Sequence, residues 1–163
     1  MNFIKVEKEE IPVLAALASD IWHEYWGIIL SDEQIEYMVE NFQSEKAMKK
    51  QISEENYSYC FINDNGENIG YFGISPKDGY MFLSKLYIKK EFRGQGTGRK
   101  AFEEIKRLSA EQGFNKIRLT VNKYNSNTIK AYDRWGFKTI DAVVTDIGQG
   151  FVMDDYIMEY SLS

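Results

Sequence analysis

The segment KLYIKKEFRGQGTGRKAFEEIKRL, residues 85–108, has three glycines at alternate positions between an apolar run and a helix-like pattern. The apolar residues before the glycines predict a strand. The spacing of Ala101, Phe102, Ile105 and Leu108 predicts an amphipathic helix directly after them. A strand, a glycine-rich loop and a helix N-terminus form an anion site, because the first free N–H groups of the helix point at the ligand and the helix dipole adds partial positive charge. The segment therefore predicts that an anionic ligand binds here.

Two other phosphate-binding motifs do not fit these glycines. A dinucleotide fingerprint needs G-x-G-x-x-G, but the sixth position is Arg99 when counted from Gly94 and Ala101 when counted from Gly96. A P-loop needs glycine directly before its lysine, whereas Lys100 follows Arg99. An alanine variant of the dinucleotide motif stays open, as does a glycine-rich turn without a ligand. The turn alone leaves the arginine beside the helix N-terminus unexplained.

The composition is that of one globular domain covering residues 1–163. Hydrophobic residues make up 44% of the chain and charged residues 28%, which allows a core large enough to fold alone. The N-terminal MNFIKVEKEE lacks the basic-then-apolar plan of a signal peptide, and no apolar run approaches the roughly 18 residues that would span a bilayer. We therefore expect a cytoplasmic protein with no membrane partner. The net charge of −5 argues against nucleic-acid binding and favours a cationic partner.

Cys60 and His23 are the only cysteine and the only histidine. A lone cysteine excludes an internal disulfide and a multi-cysteine zinc site, and a lone histidine excludes a histidine-rich metal site. Cys60 lies in the strand-like YSYCFI with no histidine nearby in the sequence, which favours a small buried thiol over a nucleophile. The sequence therefore predicts no metal cofactor.

The order of periodic segments predicts an α/β fold on a mixed sheet, with the elements β-ααα-βββ-α-β-α-ββ. Gly27 ends the predicted first helix, and Ser31 with Gln34 forms a capping box that begins the second. NDNG at residues 63–66 predicts a hairpin turn, and Gly113 is placed to end the helix that follows the glycine loop. A further turn signal, GQG, lies within the last predicted hairpin.

Two motifs together resemble the GNAT family of N-acetyltransferases. Residues 93–98, RGQGTG, match the acetyl-CoA signature R/Q-x-x-G-x-G/A that follows a long strand in that family. Downstream, NSNTIKAYDRWGF matches N-x-x-x-x-x-x-Y-x-x-x-G-F through Asn125, Tyr132, Gly136 and Phe137. The resemblance covers nearly the whole chain, and it implies a GNAT-like central sheet, mixed but mostly antiparallel, flanked by helices.

The resemblance implies acetyl-CoA as the co-substrate. Its pyrophosphate would lie on the loop amides beside arginine side chains, a set that comprises Arg93, Gly94, Gln95, Gly96, Thr97, Gly98 and Arg99. In the family, pantetheine pairs with the strand before the loop, here Leu86, Tyr87 and Ile88, while the next parallel strand, IRLTV, splays away to open a slot. Asn122 and Asn125 would contact the cofactor or shape the loop, with helix capping as the alternative.

The family's usual catalytic acid stands at the position of Tyr132, whose hydroxyl would protonate the departing thiolate. A core tyrosine packed against Trp135 and Phe137 is the alternative. Thr128 stands where the family usually has alanine, a departure that affects helix packing more than chemistry.

No general base is apparent. Many relatives have a glutamate on the long central strand, where this sequence has Ser84 and Lys85. An alkyl ammonium has a pKa near 10.4, so only about one molecule in a thousand is neutral at pH 7. The candidates for taking its proton are Glu24, Asp155 and an ordered water.

Acceptor choice is expected to depend on the first helices and the last hairpin. Trp22, Glu24, Tyr25 and Asp155 are the predicted substrate residues, because aromatic faces and carboxylates suit ammonium groups. The segments DIWHEYWGIILSDEQIEYM and DIGQGFVMDDYIMEYSL resemble the polyamine-acetylating, PaiA-like branch of the family. The expected reaction is transfer of an acetyl group to a primary amine of a small, polyamine-like substrate.

Other acceptors and other classes of protein stay open. A protein or peptide amine and an aminoglycoside are alternative acceptors, and the aromatic and acidic residues also suit a core with a solvated face. A sensor that binds acetyl-CoA without turnover would have lost Tyr132 or the glycine loop, and the sequence has both. A dinucleotide oxidoreductase would bind nicotinamide or flavin. Exposed sheet edges add the expectation of a homodimer.

Overall fold

The protein is built on one central sheet with helices on both faces. A computed structural model describes residues 1–26 and 30–162, except for the side chains of Tyr25 and Trp26. The strands are β1 Asn2–Lys5, β2 Ser58–Asp64, β3 Glu67–Pro76, β4 Met81–Ile88, β5 Lys116–Asn122, β6 Lys138–Gly148 and β7 Phe151–Ser161. The α-helices are α1 Ile11–Trp26, α2 Asp32–Met38, α3 Glu45–Glu54, α4 Thr97–Glu111 and α5 Ser126–Trp135.

The strands follow the spatial order β1-β2-β3-β4-β5-β7-β6. Neighbouring strands are antiparallel except for β4 and β5, which are parallel. The predicted element order and the mixed, mostly antiparallel sheet are therefore confirmed.

The parallel pair opens into a slot. Among the described residues, β4 and β5 are in register only at Met81–Ile117 and Phe82–Arg118, and beyond these pairs the strands diverge. The backbone of β4 past Phe82 therefore keeps its bonds to β3 but has hydrogen-bonding groups facing the slot. Backbone amides and carbonyls of this kind are what a peptide-like ligand arm needs. The splayed strands implied by the family resemblance are confirmed.

Apolar side chains cover both faces of the sheet. On one face Phe102 and Ile105 of α4 are fully buried, and the Phe102 ring stacks on Trp135 of α5 at 5.4 Å between centroids. On the other face Leu14 and Ile21 of α1 are buried in a second cluster. Burial of each such side chain contributes about 1.5–3 kcal/mol to the stability of the fold. The strands β4 and β5 are therefore held between two packed layers.

Local signals at element ends are confirmed, with one exception. The Ser31 hydroxyl accepts a hydrogen bond from the Gln34 N–H at 3.1 Å and begins α2. The Gln34 side chain, however, donates to the Val152 carbonyl at 3.2 Å, so the reciprocal half of the predicted capping box is replaced by a tie to β7. Gly113, which follows the C-cap residue Gln112 of α4, has φ +85°, as predicted for a helix end. Gly27 lies outside the described residues.

The helices α2 and α3 are joined by a π-helical turn, Val39–Gln43, which the sequence did not predict. Such turns leave carbonyl groups without the usual partner along the helix. Within the described ranges, no helix is both long and apolar enough to cross a bilayer.

Candidate active site

Two cavities meet beside Tyr132. The inner cavity, about 300 Å³, lies at the slot and is lined by β4 and β5 together with Asp155 of β7. The loop cavity, about 810 Å³, lies over the glycine loop and the start of α5. The residues that line both are Leu86, Asn125, Thr128 and Tyr132. A ligand with one end on the glycine loop can therefore reach the slot past Tyr132.

Glycine is required at two positions of the loop for different physical reasons. Gly96 has φ +79°, with open space where a Cβ would lie, and it directly precedes α4. An L-residue there costs roughly 1–2 kcal/mol, so the glycine sets the path of the loop. Gly98 differs, because a Cβ at this position would lie 3.1 Å from the Trp135 ring. Gly98 lines the loop cavity and in addition lets Trp135 of α5 pack closely against the loop.

The predicted cofactor residues of the loop lie together, with one outlier. Those that line the loop cavity are Arg93, Gly94, Gly96, Thr97, Gly98 and Arg99. The Gln95 side chain instead donates a hydrogen bond to the Glu91 carbonyl at 3.2 Å and is not part of this lining. Only the backbone of Gln95 is therefore available to the predicted site.

Glu24 lies at the loop cavity and not at the inner cavity. One of its carboxylate oxygens accepts hydrogen bonds from the Lys90 N–H and, at 3.2 Å, from the Arg93 guanidinium. Arg93 also donates through Nε to the Ile88 carbonyl at 2.9 Å. These bonds connect α1 to the glycine loop, so Glu24, predicted from the sequence as an acceptor residue, lies on the side of the loop cavity.

The predicted pantetheine strand touches both cavities. Leu86 lines both, Tyr87 lines the inner cavity and Ile88 the loop cavity. The buried Trp22 also lines the inner cavity, and its ring meets Tyr87 edge to face at 5.5 Å. Trp22, predicted as a substrate residue, therefore lies at the inner cavity, whereas the side chain of Tyr25 lies outside the described residues.

Asn122 and Asn125 shape the turn between β5 and α5. The side-chain oxygen of Asn122 accepts a hydrogen bond from the Tyr124 N–H at 2.9 Å. The backbone carbonyl of Asn122 accepts a hydrogen bond from the Asn125 N–H at 3.0 Å. Asn125 precedes α5 but its side chain does not cap the helix. Of the predicted alternatives, Asn122 therefore makes the loop-shaping bonds, and Asn125 does not make the side-chain cap.

Tyr132 is buried at the junction of the two cavities. Its ring meets Trp135 and Phe137 edge to face, each at 5.3 Å between centroids. The core packing considered from the sequence is therefore present, and Tyr132 lines both cavities as well. The packing of the ring does not exclude a chemical role for the hydroxyl, because a buried tyrosine combines an apolar ring with a polar end.

Asp155 is a buried carboxylate in the inner cavity. It is 8% exposed and pairs with Asn122 across β5 and β7. Its Oδ1 atom is buried and has no hydrogen-bond partner among the described residues. Burial raises the pKa of this carboxyl to about 6, and the neighbouring Asp154 carboxylate adds to the rise. Such an oxygen calls for a proton or a cationic ligand, because an unpaired buried charge is costly.

Lys85 is a site residue whose importance the sequence did not reveal. It is 5% exposed, lines the inner cavity and donates hydrogen bonds to the Phe42 carbonyl at 2.6 Å, the Gln51 amide oxygen at 3.1 Å and the Tyr59 hydroxyl. Burial lowers the pKa of its ammonium to about 7. The available signal was a lysine inside the apolar strand MFLSKLYI.

The geometry suits a long ligand with an anionic end on the glycine loop and a peptide-like arm in the slot. Residues 16–137 match the sequence model of the Acetyltransferase (GNAT) family. The chain belongs to this family. It is therefore an acyltransferase that uses acetyl-CoA as its co-substrate, as the resemblance implied. In the described part of this GNAT protein, no group of three or more histidine, cysteine or acidic side chains is arranged to hold a metal ion.

Curated relatives include enzymes that act on amines. The spermidine N(1)-acetyltransferase of Thermoplasma acidophilum is 27% identical over 154 residues, covering 92% of this chain and 93% of that protein. The thialysine N-epsilon-acetyltransferase of Bos taurus is 31% identical over 72 residues, which is 44% of this chain and 42% of that protein.

Solved structures confirm the GNAT fold. The PaiA N-acetyltransferase of Thermoplasma acidophilum in complex with coenzyme A superposes with a TM-score of 0.80 at 23% identity, covering 98% of both chains. An aminoglycoside 6'-acetyltransferase type Ii gives a TM-score of 0.72 at 18% identity, covering 100% of this chain and 98% of that one.

Proposed function

We propose that this GNAT enzyme acetylates a primary amine of a small, polyamine-like substrate. The observation that carries the proposal is the unpaired, buried Oδ1 of Asp155 in a cavity that joins the cofactor loop at Tyr132. An ammonium group is the ligand that satisfies such an oxygen. The spermidine acetyltransferase among the relatives, which aligns over nearly the whole chain, supports the same acceptor class.

Acetyl-CoA is proposed to bind across both cavities. Its pyrophosphate lies on the backbone amides of residues 94–98, beside the Arg93 and Arg99 side chains. Its pantetheine arm pairs with the backbone of residues 86–88, where β5 has diverged. Asn122 and Asn125 border the path between the cavities. The thioester then lies near Tyr132, because the two cavities meet there.

Asp155 is proposed to receive the acceptor and take its first proton. With a pKa of about 6, the carboxyl is ionised at neutral pH and attracts the ammonium. Transfer of one proton to Oδ1 leaves a neutral amine, whose lone pair attacks the thioester carbon. Trp22 is the aromatic wall beside the amine's stem. Of the base candidates from the sequence, Asp155 is the one that lies in the inner cavity.

The remaining steps need an oxyanion donor and an acid. A backbone N–H of residues 86–88 donates to the oxyanion of the tetrahedral intermediate. When the C–S bond breaks, the Tyr132 hydroxyl protonates the thiolate, and the second proton of the amine restores the hydroxyl. The products are an N-acetylated amine and the free thiol of CoA, with one proton left on Asp155.

The experiment is a thiol-release screen with acetyl-CoA over spermidine, spermine, putrescine, lysine, lysine peptides and an aminoglycoside. We expect kcat/KM to be highest for an aliphatic polyamine. A clear preference for a peptide or an aminoglycoside would replace the acceptor in the proposal. Tight acetyl-CoA binding without release of thiol for any amine would favour the sensor.

The same chain is proposed to act in the cytoplasm as a homodimer. Strand β6 forms one edge of the sheet, and Ile140 and Val144 on it are exposed. Such an edge pairs readily with a second copy. Sedimentation at several concentrations tests the dimer, and a monomer at all of them would remove it.

A further inference from the structure

A bulge in β6 places Ile147 at the inner cavity. The register of β6 with β7 shifts between Asp146 and Gly148, which leaves Ile147 as an extra residue. The extra residue of a bulge is unpaired in the ladder, and the bulge changes the direction of its side chain. Here the side chain of Ile147 lines the inner cavity together with Met153 of β7. The tip of the β6–β7 hairpin, residues 147–153, therefore forms one wall of the cavity proposed for the acceptor.

The helix α2 is bonded to this hairpin tip. The Tyr37 hydroxyl donates a hydrogen bond to the Ile147 carbonyl at 2.6 Å, and the Tyr37 ring packs on Phe151 at 5.2 Å between centroids. The Gln34 side chain donates to the Val152 carbonyl at 3.2 Å. We call these three interactions the α2–hairpin contact. Both strands of the hairpin are therefore held against α2.

Gly148 is required for the α2–hairpin contact. It has φ +101°, and a Cβ at this position would lie 2.5 Å from the Tyr37 hydroxyl oxygen. Any other residue would therefore displace either the tyrosine or the hairpin. The close approach of the hydroxyl to the hairpin backbone depends on this glycine.

The α2–hairpin contact closes the apolar side of the inner cavity. Met38 of α2 and Trp22 of α1 are buried in one cluster, and Ile147 and Met153 of the hairpin pack against that cluster. All four side chains line the inner cavity. The width of the cavity therefore depends on how closely α2 and the hairpin are held together.

The volume of the inner cavity limits what can enter it. At about 300 Å³, the cavity has the volume of roughly ten water molecules of about 30 Å³ each. The acetyl group and the end of the pantetheine arm, bound as proposed above, occupy part of this volume. The remainder suits a single unbranched chain. A ring adds width, and a closely packed wall resists such an insertion because it has few voids to absorb it.

We propose that the α2–hairpin contact is a specificity determinant that admits unbranched aliphatic amines to the inner cavity and excludes amines carried on rings. The inference rests on the proposed function and deepens it by stating the shape of the acceptor. An unbranched polyamine such as spermidine is favoured. An aminoglycoside, whose amines are carried on linked rings, is disfavoured.

The test compares two diamines that differ in width but not in reach. One is hexamethylenediamine, and the other is a cyclohexane with trans aminomethyl groups on two opposite ring carbons. Both have the same number of carbons along the path between their nitrogens. At saturating acetyl-CoA we expect kcat/KM of the unmodified enzyme to be at least about tenfold higher for hexamethylenediamine, a ratio that apolar pockets reach for small differences in size.

Two variants disrupt the α2–hairpin contact from opposite sides. Tyr37→Phe removes the hydroxyl that bonds the Ile147 carbonyl and keeps the ring on Phe151. Gly148→Ala places a Cβ against the same hydroxyl. Each variant is expected to reduce the tenfold preference to about threefold or less, because the hairpin wall can then move to accommodate the ring. The double variant should resemble Tyr37→Phe, because the added Cβ no longer meets a hydroxyl.

Tyr80→Phe is the matched control, because it removes the hydroxyl of a tyrosine outside the lining of both cavities. It should keep the preference, and the KM for acetyl-CoA should be unchanged in every variant. Equal kcat/KM for the two diamines in the unmodified enzyme would overturn the inference, as would an unchanged ratio in both folded variants. Those results leave the acetylation of amines established. If the unmodified enzyme acetylates neither hexamethylenediamine nor spermidine, the proposed function itself is contradicted.

Discussion

Replacing Asp155 by asparagine removes the negative charge of the inner cavity with little change in side-chain shape. An ammonium about 4 Å from a carboxylate is stabilised by about 4 kcal/mol at an effective dielectric constant of about 20. The asparagine oxygen retains part of this attraction, so we expect a loss of about 2–4 kcal/mol. That loss corresponds to a fall in kcat/KM for the amine of roughly 30- to 1000-fold. Affinity for acetyl-CoA should be unaffected.

The pH dependence of kcat/KM gives a second way to recognise the effect of Asp155→Asn. The carboxyl of Asp155 has a pKa of about 6, and its protonated form neither attracts an ammonium nor takes a proton. The kcat/KM of the unmodified enzyme should therefore fall about tenfold per pH unit below about pH 6. Asp155→Asn should lack this acid limb.

Stability should change in the opposite direction from activity. The pKa of Asp155 rises from 3.8 in the unfolded chain to about 6 in the folded protein, so the folded state binds this proton more tightly. The folded state loses stability as the pH rises from about 4 through 6. Asparagine has no such titration, and Asp155→Asn should be more stable at pH 7 by up to about 3 kcal/mol.

Stopped-flow thiol release and urea unfolding at several pH values measure both effects. The prediction is a variant that is slower with amines and more stable at neutral pH. A variant that keeps its rate, or that loses rate only because it is less stable, would refute the assignment of Asp155 to the acceptor.

Three further substitutions separate the other parts of the site. Gly96→Ala forces an L-residue into φ +79°, so we expect about tenfold weaker acetyl-CoA binding and a stability loss of about 1–2 kcal/mol. Tyr132→Phe removes only the hydroxyl, so single-turnover transfer should slow about 10²-fold while the melting temperature stays near that of the parent. Glu24→Gln frees Arg93 from its ion pair, so the KM for acetyl-CoA should fall about two- to fivefold, with an unchanged amine KM.

Each of these has a result that would count against it. Gly66→Ala is the control for Gly96, because Gly66 has φ +82° in a distant hairpin turn; an equal loss of affinity there would implicate general destabilisation. Full-rate transfer by folded Tyr132→Phe would leave Tyr132 as a packing residue. A higher amine KM in Glu24→Gln would return Glu24 to the acceptor side, where the sequence alone had put it.

Features that depend on neighbours in sequence were predictable. The turn at Asn65 and Gly66, where both residues have positive φ, follows from the dipeptide itself. The proposed anion site at residues 93–98 follows from a strand, glycines and a helix in direct succession. The order of helices and strands was predictable for the same reason, because each element has its own hydrophobic periodicity and its own end signals in the sequence.

Features that depend on distant contacts were not predictable. Glu24 meets Lys90, 66 residues along the chain, and nothing in α1 distinguishes it from an acceptor carboxylate. The position of Lys85 depends on the irregular register between β3 and β4. An extra residue in a strand changes which face the following side chains point to, and the alternating sequence pattern does not reveal it. Asp155 was a candidate among several, and only its burial opposite Asn122 separates it from the neighbouring Asp154.

A crystal structure of the protein with CoA and spermidine bound together would test the central claim most directly. The account predicts that the pyrophosphate lies on the amides of residues 94–98 and the pantetheine arm between β4 and β5. It also predicts that one terminal nitrogen of spermidine lies about 3 Å from Oδ1 of Asp155, within reach of the thiol. A terminal nitrogen bound elsewhere, with Asp155 still unpaired, would contradict it.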